Sequence, residues 1–154
     1  MKGFTWKLAL LDACPVLLFG ISVLSIGAKF NNPFFRIGAI LSFLAGLGKV
    51  VWKILLAWKQ KDVRILSNQF KYCMISGAMI MFISTIMAKV NWLSLFQAMC
   101  TMPSVIFFGI GIIGMALMGY MAKNCSQEDA KNNWIEEVIN TLAQLCILLG
   151  ILFI

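Results

Sequence analysis

The chain has 154 residues, of which 61% are hydrophobic and 12% charged, with mean hydropathy +0.90 and net charge +7. A soluble domain runs nearer 45–50% apolar and about 25% charged, so these proportions exclude one and leave a single integral membrane domain over 1–154. The positive charge is read as loops facing anionic lipid at the cytoplasmic surface, with no nucleic-acid partner.

Five stretches reach the roughly 20 apolar residues that a spanning helix needs. The first covers about 8–28. It is too long for the apolar region of a signal peptide and is interrupted by Asp12 and Pro15, so it reads as a retained helix. The second covers about 34–57. Asn32-Pro33 precedes it as an N-cap with proline at the first helical position. Gly38, Ser42 and Gly46 make a small-residue seam that should point into the bundle and lead toward Lys49 and Lys53. The third covers about 72–90. Residues 91–102 read either as an interfacial helix before Pro103 or as an extension of the fourth span, which covers about 103–122 and holds Gly109, Gly111, Gly114 and Gly119. The fifth covers about 135–154, with Asn133 and Glu136 spaced as a capping box at its start. The fold class is therefore all-α, a polytopic bundle of five transmembrane helices.

The cations set an orientation. Lys2, Lys7, Lys53, Lys59, Lys61, Arg64, Lys71, Lys123 and Lys131 fall on one side, and Lys29, Arg36 and Lys89 on the other. By the positive-inside rule the N-terminus is cytoplasmic and the C-terminus outside, in the cell membrane. The aromatics follow the same borders: Trp6, Trp58, Trp134, Tyr72 and Tyr120 at cytoplasmic edges, Trp92 at the outer edge, and Trp52 deeper.

Charges inside the spans locate a candidate site. At 1.5 Å per residue, Lys53 lies about 6 Å and Lys49 about 12 Å from the cytoplasmic end of the second span, and Asp12 about 6 Å into the first. A lysine stem snorkels to the headgroups, which accounts for Lys53 more easily than for Lys49. A carboxylate cannot reach so far, so Asp12 is expected to pair with Lys53 or Lys49. Glu136, Asn140 and Gln144 recur every four residues and form a polar stripe running inward from the same side. Glu137 is expected to act only on the helix dipole. Asp12, Lys49, Lys53, Glu136, Asn140 and Gln144 are thus the candidate ligand-binding residues.

VLLFGIS at 16–22 resembles VIFFGIG at 105–111, and each follows a proline, Pro15 and Pro103. Were the two equivalent, they would be related by inverted topology, with each proline kinking its helix.

There is no histidine, which removes His-ligated haem, His-based zinc or iron sites, and Ser-His or Cys-His catalysis. Cys14, Cys73, Cys100, Cys125 and Cys146 form no CxxC pair and read as packing residues. No cofactor or metal is expected. Three function classes remain: a transporter, channel or membrane ligand-binding protein with a cytoplasm-facing polar pocket for an anionic small molecule or lipid headgroup; an accessory subunit docked on a membrane protein partner; and, least supported, an intramembrane lipid enzyme.

Overall fold

The computed structural model describes residues 6–59, 64–88, 91–125 and 130–154. Among these there are six helices: α1 (Trp6–Phe30), α2 (Pro33–Lys59), α3 (Arg64–Met87), α4 (Trp92–Cys100), α5 (Ser104–Asn124) and α6 (Ala130–Leu152). All but α4 are long and apolar enough to cross a membrane. The architecture is an all-α bundle with five membrane-length helices.

Packing runs in the spatial order α3–α2–α1–α6–α5, with α1 central. The α2–α3 crossing is set by small residues. Gly38 lies against the Gly77 carbonyl and Met81, while Gly77 lies against Ser42. A side chain at either glycine would fill the space that lets the two backbones approach. Gly111 and Gly114 do the same for α5 and α6, against Ile147 and Ala143. The expected seam on α2 is therefore divided between neighbours. Gly38 and Ser42 serve α3, whereas Gly46 receives Val16 of α1. Each four-residue step rotates the face by about 40°, enough over two steps to reach a different helix.

One end of the bundle is closed by aromatic and capping contacts. Val23, Phe35 and Ala39 form a core with Phe19, Ile26, Phe30 and Met81 around them, and Phe30 meets Phe35 edge-on at 5.5 Å. Asn32 accepts from the backbone N–H groups of Phe34 and Phe35, as the N-cap reading requires, and donates through Nδ2 to the Ser84 carbonyl. Lys29 donates to the Ile151 carbonyl at 2.9 Å, and Arg36 Nε to the Gly27 carbonyl at 3.2 Å. Both cations thus satisfy carbonyls near helix C-termini, where the dipole also favours positive charge. The Lys29 bond places the C-terminal ends of α1 and α6 together, so these two helices run parallel.

Several expected boundaries are corrected. The helix that carries the third span begins at Arg64, with Asn68–Met87 long and apolar enough to cross, and there Gln69 packs against Gly48 and Phe70 lies beneath the Lys49 ammonium. Contacts with α2 thus hold a polar stretch in helix. Tyr72 lies about 12 Å along α3 from its first residue. Residues 91–102 contain a separate nine-residue helix, capped by the Asn91 side chain accepting from the Ser94 N–H, and it does not extend the next span. Asn133 is not a cap. α6 begins at Ala130, so Asn133 lies inside the helix and is buried. Pro15 is inside α1, whereas Pro103 precedes the first residue of α5 and kinks nothing. The two repeat-like segments also differ in surroundings: Phe43 covers Gly20, while Gly109 has nothing against it. Lys2, Lys61 and Lys89 lie outside the described residues.

Candidate functional site

Three helices bring charge to one point near the end of the bundle opposite Asn32. α1 and α2 are antiparallel: Gly27 faces Phe35, Gly20 faces Phe43 and Val16 faces Gly46. Continuing that register places Asp12 opposite residues 50–51, within one turn of Lys53. The two form an ion pair, Lys53 Nζ to Asp12 Oδ1, at 2.7 Å. The parallel helix α6 adds Glu137, whose Oε1 accepts from the same ammonium at 3.0 Å. Two carboxylates therefore share one ammonium, each supplied by a different helix.

The cluster is largely removed from solvent. Side-chain exposure is 6% for Asp12, 11% for Lys53 and 12% for Glu137. The Asp12 Oδ2 oxygen is fully buried and accepts no hydrogen bond. A single uncompensated carboxylate at membrane depth costs about 2.5–3.5 kcal/mol on insertion scales, so the shared ammonium is what makes Asp12 tolerable. Breaking such a pair leaves the remaining charge buried and is far more costly than removing both partners.

The other expected site residues are distributed around this centre. Lys49 does not join it. One turn along α2, its ammonium lies 4.8 Å from the centre of the Phe70 ring on α3, a cation–π contact. Gln144 faces α5 and donates to the Met115 sulfur at 3.6 Å. Glu136 and Asn140 are half-buried, and the carboxylate that bridges to Lys53 is Glu137 instead. Sequence spacing alone did not separate the two glutamates. Glu137, Asn140 and Gln144 fit one helical face as well as Glu136, Asn140 and Gln144 do, since both three- and four-residue steps return to a face.

An apolar recess of about 440 Å³ lies beside the cluster, lined by Leu10, Ile54, Ala57 and Trp58 from α1 and α2. Its walls come from residues adjoining Lys53 and near Asp12, but the charged groups themselves do not line it. Among the described residues no group of three or more potential ligands is placed to hold a metal ion.

The arrangement holds a charge network across α1, α2 and α6. No family model, curated protein or solved structure matches this chain.

Proposed function

We propose that this chain is a small transporter, channel or membrane ligand-binding protein of the cell membrane, working through an inner-facing polar site centred on Asp12, Lys53 and Glu137. One observation carries the reading: two buried carboxylates converge on one buried ammonium within membrane-length helices. Ionisable groups at such depth are expensive, and a functional role is the default expectation for them. The N-terminus is taken as cytoplasmic and the C-terminus as external, on the nine-to-three distribution of cations. Lys29 and Arg36, on the poorer side, are occupied by helix-end carbonyls, which supplies a local reason for their placement.

Lys53 is already matched by carboxylates, so an anionic molecule or lipid headgroup would be recognised by Lys49 rather than by the cluster. The test is a thermal-stability panel on the full chain in lipid nanodiscs, with anions, cations and lipids of both charge types. A midpoint shift by one class, reduced in Lys49→Met or Asp12→Asn, supports the reading. A flat response across the panel overturns it.

The accessory-subunit reading has its own support. α3 and α5 stand at the two ends of the packing order, and within α5 only Ser104 and Gly111 are buried. Native mass spectrometry of the complex extracted in mild detergent distinguishes the two: a stable hetero-assembly favours the subunit.

A further inference from the structure

We infer that the apolar recess between α1 and α2 is a lipid-binding site, taking one acyl chain of an anionic phospholipid whose headgroup lies at the Lys7 end of α1. The inference goes beyond the function proposed above and does not draw on the charge cluster.

The walls select the chemistry. Leu10, Ile54, Ala57 and Trp58 enclose about 440 Å³, within the roughly 300–1,000 Å³ of small-molecule pockets, and they offer hydrocarbon and one indole. An ordered water needs roughly two to four polar partners, which such walls do not supply, so hydrocarbon fits better. Direction selects the source. Leu10 stands two residues from Asp12, about 200° around α1, and Trp58 five residues from Lys53, about 140° around α2, so the recess turns away from the cluster. Its rim is open, with Leu10 52% and Trp58 82% exposed. On helices that cross a bilayer, such an outward face meets lipid. The membrane-length stretches are Lys7–Phe30 and Pro33–Leu55, so Leu10 and Ile54 lie inside them and Ala57 and Trp58 beyond. The recess therefore straddles the border between tails and headgroups, the level that tryptophan favours.

Charge selects the lipid. A tail is as apolar a neighbour in the bilayer as in the recess, so entry gains packing contacts and no hydrophobic transfer, which does not tell one lipid from another. The headgroup does. Lys7 is exposed and lies three residues before Leu10, on the same face and one turn nearer the helix end. It also interacts elsewhere, but an ammonium has three donors to distribute. α2 ends at Lys59, next to Trp58. The sole acid of these two helices is Asp12, which is paired with Lys53 in the cluster. The mouth formed by α1 and α2 is therefore positive, complementary to a headgroup of net negative charge. One lysine near a membrane surface shifts the balance toward anionic lipid about fivefold.

Trp58 reports occupancy. The full chain is placed in phosphatidylcholine nanodiscs containing a small fraction of dibrominated phosphatidylglycerol or, in parallel, dibrominated phosphatidylcholine. Fluorescence is read as the difference from the matching Trp58→Phe protein, which isolates this indole. Quenching by the anionic lipid is expected at about one-fifth of the mole fraction that the zwitterionic lipid requires. Lys7→Gln brings the two curves together, and Ala57→Phe, which fills the recess, removes the preference. Should Ala57→Phe fail to fold, Leu10→Phe narrows the same space from its exposed rim. Equal quenching by the two lipids in the natural protein, or a preference unchanged in Lys7→Gln or in a folded recess-filling variant, overturns the inference. The outcome is separable from the ligand panel, because Lys49 and Asp12 do not line the recess. Equal quenching with a panel response reduced by Lys49→Met removes the lipid site alone. Selective quenching with no response that depends on Lys49 or Asp12 keeps the lipid site and removes the polar-site reading.

Discussion

Lys53 is the residue on which most of the bundle end opposite Asn32 depends, because its ammonium satisfies acids from two other helices. Lys53→Met leaves both carboxylates without their cation and is expected to cost about 3–5 kcal/mol, the range for a broken buried pair. Asp12→Asn leaves Lys53 matched one-to-one by Glu137 and should cost less, about 1–3 kcal/mol. Lys49→Met removes a cation–π contact worth about 0.5–2 kcal/mol, together with a weaker attraction to the nearby acids. Denaturant titrations in detergent check the order, Lys53 above Asp12 and Asp12 at or above Lys49; an inverted order contradicts the geometry. That Asp12 pairs with a lysine of α2 was legible from sequence, because two antiparallel helices joined by a short turn bring residues at similar depth together; which of Lys49 and Lys53 it is was left open. Glu137 was not, because neighbouring positions on a helix differ by about 100° in direction. Choosing between Glu136 and Glu137 needs the rotation of α6, which its packing on α1 and α5 determines.

At the scale of the element, close backbone approach decides which glycines matter. A methyl added at Gly38 would meet the Gly77 carbonyl and Met81, whereas at Gly119 it meets nothing. Gly38→Ala is therefore expected to destabilise by about 1–3 kcal/mol through overpacking. Gly119→Ala should stabilise by about 0.4–1 kcal/mol through the lower entropy of the unfolded chain. Thermal midpoints of the two variants should move in opposite directions, and a shared direction refutes the assigned α2–α3 crossing. Asn32→Ala removes both the α2 cap and the bond to Ser84, and about 1 kcal/mol or more should be lost in the same assay. The cap was legible because its residue types satisfy a local requirement. The start of α3 was not, because Asn68, Gln69 and Lys71 carry loop-like chemistry, and only packing on Gly48 and Lys49 keeps that stretch helical. Four glycines in α5 looked alike in sequence, yet Gly111 and Gly114 face α6 and Gly109 and Gly119 face no neighbour.

For the whole molecule, composition was enough to establish the class and five long apolar helices, since the bilayer imposes length and apolarity on each span separately. The order in which the helices pack was not accessible, as it rests on side-chain fit between segments distant in sequence. Reporter fusions at the two ends test the proposed orientation: signal from the cytoplasm at the N-terminus and from outside at the C-terminus is expected, and a shared compartment contradicts it. The central claim is that one charge cluster joins α2 to α6 beside α1, across 84 positions of sequence. A double-mutant cycle between Lys53→Gln and Glu137→Gln, read as unfolding free energy in nanodiscs, measures that joint most directly. The account predicts a favourable coupling of about 1–3 kcal/mol between the two side chains. Additive effects, within about 0.3–0.5 kcal/mol, would show that they do not interact and contradict it.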